Sequence, residues 1–92
     1  MTDKFTMICD PGHGWLEVPW FHLKRLGLNP TDFTQYSYRK GNTFYLEEDC
    51  DAGKFVAAYM AKHGVRPVIE DRYEEWDTCD SRDIRSYEPI WR

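Results

Sequence analysis

Lys4-Phe5-Thr6-Met7-Ile8-Cys9-Asp10-Pro11-Gly12-His13-Gly14-Trp15-Leu16-Glu17-Val18 is the stretch whose reading decides the fold. Its first half sets Phe5, Met7 and Cys9 against Thr6 and Ile8, the two-residue period of a strand with one strongly apolar face. Asp10-Pro11-Gly12 then reads as a turn, because proline fixes φ at the second turn position and glycine supplies the positive φ a type II turn needs at the third. From Gly14 to Val18 the chain returns, with Leu16 and Val18 on one face and Trp15 and Glu17 on the other. A first antiparallel hairpin follows.

Outward from the hairpin, Pro19 suits the first position of a short helix over Trp20 to Leu26, where Leu23 and Leu26 stand three residues apart before Gly27. Thr34 to Arg39 and Thr43 to Asp49 form a second hairpin closed by Lys40-Gly41-Asn42. Tyr36 and Tyr38 share one face of its first strand, and Phe44 and Leu46 share one face of its second. Asp51 is placed to cap a longer helix with an apolar stripe of Phe55, Val56, Tyr59 and Met60, closed by Gly64. Val65 to Tyr73 reads as a last strand, with Pro67 marking an early or edge position.

The order is strand, strand, helix, twice over, then a strand. It predicts an α+β domain: an antiparallel sheet of about five strands in ββαββαβ order, with two helices packed on one face. Residues 1–92 form a single domain, and 76–92 form an irregular C-terminal tail pinned back onto the body by Tyr87, Ile90 and Trp91.

With 92 residues, 41% of them apolar and 16% aromatic, the chain can bury a core, but it is too short for a cofactor cleft between two lobes. The expected function therefore lies on a surface, with no cofactor. A net charge of −4 disfavours generic binding to a phosphate backbone, which needs clustered Lys and Arg. Cys9, Cys50 and Cys79 cannot all pair with one another and show no zinc spacing, so a reducing cytoplasm is the expected location. Neither a signal peptide nor a spanning helix is legible, so no membrane is expected as a partner.

No catalytic set assembles in the sequence. The turn from Asp10 to Gly14 locally resembles the opening motif of zinc-dependent N-acetylmuramoyl-alanine amidases, where a strand runs into Asp-x-Gly-His-Gly and the His binds zinc. Only His13 carries over, since that family adds a downstream Glu and a second His on a much larger α/β domain. A metal-dependent hydrolase centred on His13 is thus the least favoured reading, and neither a catalytic nor a metal set is assigned. The acids Glu47, Glu48, Asp49 and Asp51 read as a solvated strand end and helix N-terminus, where the dipole favours negative charge.

The binding candidates are His13, Trp15, Tyr36, Tyr38 and Tyr45, with the acids Glu70, Glu74, Glu75 and Asp77. No turn requires a His or a Trp at 13 and 15. The tyrosines suit an aromatic platform or a homodimer surface if they lie on the sheet face away from the helices. The acids suit a basic groove on another protein, reached by long-range attraction.

Taken together, Asp10-Pro11-Gly12-His13-Gly14-Trp15-Leu16-Glu17-Val18, Tyr36-Ser37-Tyr38, Tyr45-Leu46-Glu47-Glu48-Asp49-Cys50-Asp51-Ala52 and Ile84-Arg85-Ser86-Tyr87 resemble a family of short proteins encoded in phage and bacterial mobile-element genomes. The resemblance implies a setting, the cytoplasm of an infected bacterium, and transfers no site residue. Small size, acidity and the missing catalytic sets lead to the expectation of a non-enzymatic accessory protein that binds a host protein, including as inhibitor of a defence system such as CRISPR. The alternative is a module that stacks a nucleotide or single-stranded nucleic acid on an aromatic sheet face.

Overall fold

The computed structural model describes residues 4–9, 13–34, 36–73 and 88–89. The first hairpin pairs β1 (Lys4–Cys9) with β2 (Gly14–Pro19) antiparallel, placing Met7 opposite Leu16 and Ile8 opposite Trp15. β2 pairs in turn with β4 (Thr43–Glu47), where Leu16 faces Leu46 and Glu17 faces Tyr45. The second hairpin joins β3 (Tyr38–Lys40) to β4 through the two-residue loop Gly41-Asn42, with Gly41 at φ +59°. Only glycine takes that backbone conformation without strain, which fixes the loop's place in the sequence.

Helix α1 (Trp20–Arg25) follows β2, and helix α2 (Asp51–His63) follows β4. The fifth strand, β5 (Val68–Tyr73), lies beside β1, and the short β6 (Glu88–Pro89) lies beside β3. The sheet order is β5-β1-β2-β4-β3-β6. The order ββαββαβ and the two helices packed against the sheet are as the sequence predicts. The sheet itself is mixed rather than wholly antiparallel, because β5 runs parallel to β1. Its direction follows from α2: a 13-residue helix, about 20 Å long, carries the chain back along the sheet, so that β5 starts at the end where β4 started.

The β2–β4 pair is also the centre of a pseudo-two-fold arrangement. Aligning Leu16 with Leu46 and Glu17 with Glu47 maps each β2–β4 partner pair onto another: Glu17 with Tyr45 becomes Glu47 with Trp15. Each half is a hairpin followed by a helix that crosses to the next parallel strand. The halves differ at their outer edges, where β1 gains a parallel neighbour and β3 an antiparallel one.

The main core lies between sheet and helices. Phe5, Leu16, Val18, Phe44 and Leu46 on the sheet meet Leu23 of α1 and Ala52, Phe55 and Tyr59 of α2, all buried. Phe55 stands edge-on to Phe5 with ring centroids 5.0 Å apart, the arrangement the ring quadrupoles favour. α1 ends in a full Schellman closure: Gly27, at φ +76°, donates to the Lys24 carbonyl, and the Leu28 N–H donates to that of Leu23. Lys62 Nζ of α2 donates to the Arg25 carbonyl at 3.2 Å, tying the two helices together at that end.

Several local expectations are corrected. Asp51 is the first residue of α2 rather than its cap, and it makes no capping bond. The first strand of the second hairpin begins at Tyr38, not Thr34, because the Thr34 N–H goes to Asp51, the Ser37 N–H goes to the Thr34 carbonyl, and Ser37 meets β4 through its hydroxyl rather than its backbone. Tyr36 therefore lies in the preceding loop and shares no strand with Tyr38. Gly14 does not adopt a positive φ, and a Cβ there would sit 2.8 Å from Oε2 at the flexible end of the exposed Glu48 side chain, which can move aside. His22 is half-buried, with its ring 4.9 Å from that of Phe5. The Asp10–Gly12 turn and the tail apart from β6 lie outside the described residues.

Candidate functional site

The alternation that sends Leu16 and Val18 to the helices sends Trp15 and Glu17 to the opposite face. There Trp15, Ile8 and Tyr45 form a second buried cluster, with Tyr38 packed against it. Trp15 is 2% exposed and Tyr45 8%, so neither serves as an open stacking platform. The expectation of an aromatic platform made from both is thereby corrected: these rings are core, and the accessible part of the array is at its end.

That end is a cleft of about 340 Å³ lined by His13, Trp15, Tyr36, Tyr38, Glu47, Asp49 and Cys50. Three segments build it: the start of β2, the loop before β3, and the turn between β4 and α2. His13 is exposed and stacks on Trp15, with ring centroids 5.7 Å apart and planes within 16° of parallel. Trp15 Nε1 donates to the Tyr36 carbonyl at 3.3 Å, which links β2 to the facing loop. Tyr36 itself is 58% exposed.

The loop carrying Tyr36 is held by Asp51, whose side chain is fully buried. Its carboxylate accepts from the Thr34 N–H at 2.9 Å, from Thr34 Oγ1 at 2.7 Å and from the Ser37 hydroxyl. Thr34 Oγ1 accepts in turn from the Tyr36 N–H, and Ser37 Oγ from the Glu47 N–H at 2.9 Å. A carboxylate out of water costs several kcal/mol unless donors surround it, and this one is surrounded. Among the described residues every buried side-chain nitrogen and oxygen has a hydrogen-bond partner.

The adjacent turn is fixed by Glu47. Its two carboxylate oxygens accept from the Asp49 and Cys50 N–H groups at 2.9 and 3.0 Å, covering amides at the head of α2 that the helix leaves without partners. Asp49 and Cys50 are exposed beside it. The acid run from Glu47 to Asp51, read in the sequence as a solvated edge, divides into three tasks. Asp51 anchors a loop, Glu47 closes a turn at the cleft, and Asp49 adds charge at the rim.

Four of the sequence-derived candidates, His13, Trp15, Tyr36 and Tyr38, thus converge, and Tyr45 packs behind them. Glu70 does not join them: it lies on edge strand β5, in an exposed ion pair with Lys4 that holds its carboxyl below the ordinary value. Glu74, Glu75 and Asp77 fall outside the described residues. Sequence reasoning missed Glu47, Asp49 and Cys50 as cleft residues, and Thr34, Ser37 and Asp51 as their support. The one local signal was the pair of hydroxyls at 34 and 37, whose spacing sets both on one side of a turn.

Among the described residues, no group of three or more His, Cys, Asp or Glu is placed to hold a metal ion. No described helix is long and apolar enough to cross a membrane. No family model, curated protein or solved structure matches the chain.

Proposed function

We propose that this is a small, non-enzymatic accessory protein of phage type that binds a host protein in the bacterial cytoplasm, with the aromatic and acidic cleft as its contact surface. The observation that supports this reading is the convergence of His13, Trp15, Tyr36 and Tyr38 with the carboxylates of Glu47 and Asp49. Aromatic rings on a rigid support supply contact area at small entropic cost, and the carboxylates select a basic partner. Inhibition of a host defence complex such as CRISPR suits this chemistry, since machinery that handles nucleic acid presents basic grooves.

The test is affinity capture from host lysate with the native chain and with Tyr36→Ala. Recovery of one partner by the native chain and its loss with the variant is the expected result. Capture of nothing above background, or equal capture by both proteins, would overturn the reading.

A nucleotide-binding module is the second reading, favoured by the cavity volume and by the stacked His13–Trp15 pair. Against it, the charged residues described in the lining are Glu47 and Asp49, which repel phosphate. A saturable change in Trp fluorescence on titration with AMP or ATP would move the function to this reading.

A further inference from the structure

We infer that the group recognised in this cleft is the guanidinium of an arginine side chain on the partner; the inference rests on the protein-binding reading above and specifies its chemistry. The lining pairs two features. One is ring surface: His13 lies nearly parallel to Trp15, and Tyr36 and Tyr38 complete the aromatic wall. The other is negative charge: Glu47, the cross-strand partner of Trp15 at the end of β4, and Asp49 on the turn that follows.

A cation that enters must give up water to both. An ammonium is a compact, strongly hydrated point charge, and its desolvation offsets most of what the rings return. A guanidinium is planar and weakly hydrated. Its face stacks on an aromatic ring while its edge keeps five N–H donors in a fork that fits a carboxylate. Rings with carboxylates beside them therefore match the face and the edge of one planar cation.

The supporting contacts make the site preorganised. Tyr36 is carried on a loop bonded to buried Asp51 through Thr34 and Ser37, and its carbonyl is held by the Trp15 indole. Glu47 is held by two backbone amides, each taking one lone pair of one oxygen, so both oxygens keep capacity to accept from a ligand. Walls fixed before the ligand arrives lose little freedom on binding. The cavity of about 340 Å³ lies at the lower end of the range for small-ligand sites, in keeping with one side chain rather than a folded segment.

The experiment follows the Trp15 indole N–H resonance in 15N-labelled full chain, assigned by its loss in Trp15→Phe, during titration with arginine, lysine or citrulline, each capped as the N-acetyl methylamide. Citrulline keeps the planar shape and lacks the charge; lysine keeps the charge and lacks the plane. The expected result is a saturable displacement by capped arginine, with citrulline and lysine each weaker by about tenfold. Asp49→Asn and Tyr36→Ala should weaken arginine severalfold while leaving the melting temperature unchanged.

Equal binding of citrulline would remove the charge argument, and equal binding of lysine the planar one; either overturns the assignment. Capped arginine that leaves Trp15 unmoved, while Tyr36→Ala still abolishes partner capture, overturns the guanidinium and leaves the protein-binding reading standing. Partner capture that survives Tyr36→Ala overturns that reading itself, whatever the capped amino acids do.

Discussion

The two faces of the sheet each hold side chains shut off from solvent, and the two sets are chemically unlike. Toward the helices, Phe5, Leu16, Val18, Phe44 and Leu46 offer carbon to carbon, and Leu16, Val18 and Leu46 are inaccessible to solvent. On the other face Ile8 and Trp15 are just as enclosed, at 1% and 2%, yet this cluster is largely aromatic and carries polar atoms. The indole N–H of Trp15 reaches the Tyr36 carbonyl, and that contact leads straight into the cleft. Burial alone therefore does not separate scaffold from site. What separates them is what they open onto: the cavity beside the helix-side core is lined mostly by aliphatic groups such as Met7, Ala52, Val56 and Ile69, and the second cluster runs out into one lined by rings and carboxylates.

The largest effect that tests this division is Phe55→Ala. Phe55 is fully buried against Phe5 and Tyr59, so its loss removes apolar area and leaves a cavity at the centre of the helix-side core. Urea unfolding should show a loss of about 3–5 kcal/mol. At temperatures where the variant remains folded, partner capture should match the native chain, since no atom of Phe55 lines the cleft. A variant that folds normally and yet fails to bind would show the two faces to be coupled.

Asp51→Ala should come next in size and should act on both properties. It leaves the Thr34 N–H and the Thr34 and Ser37 hydroxyls without their acceptor, at roughly 1–3 kcal/mol for each donor that finds no other. The hydroxyls can rotate and the amide cannot, so a total near 3 kcal/mol is expected. The loop carrying Tyr36 also loses its anchor, so binding should fall along with stability, unlike the Phe55 case. Asp51→Asn, which keeps one acceptor oxygen, should recover part of each. Tyr36→Ala is the converse, a change within about 0.5 kcal/mol in unfolding with loss of partner capture, because the side chain is exposed.

The helix-side half of this comparison was legible from the sequence, and the cleft side was legible in part. Alternation across Trp15, Leu16, Glu17 and Val18 assigned each residue to its observed face, because face is a local property of a strand. The parallel pairing of β5 with β1 was not local: nothing between Val65 and Tyr73 records which strand a crossover will reach. Exposure failed for the same reason. Trp15 and Tyr36 look alike as candidate contact residues, and only the fold makes one an enclosed support and the other an open wall. Asp51 was misread because acids at a helix start suit the dipole, a general tendency that three nearby donors outweighed.

The smallest expected effect lies at the far edge of the same face as Trp15. Glu70 on β5 stands opposite Thr6 of β1, and its ion pair with Lys4 is open to water, where such pairs contribute little. The Lys4 ammonium, by hydrogen bond and by charge, holds the Glu70 carboxyl below its ordinary value of 4.5. A carboxyl whose folded value is depressed adds its share of stability above the unfolded value and loses it as pH falls through the folded one. Glu70→Gln should therefore melt slightly below the native chain at pH 7, and the two curves should converge as the pH is taken below 4.5 toward the depressed folded value. Its capture of the partner should be unchanged, because this edge does not contribute to the cleft. If Glu70→Gln weakened capture as Tyr36→Ala does, the acidic edge would be part of the contact surface. The division would then run along the whole face rather than ending at the cavity.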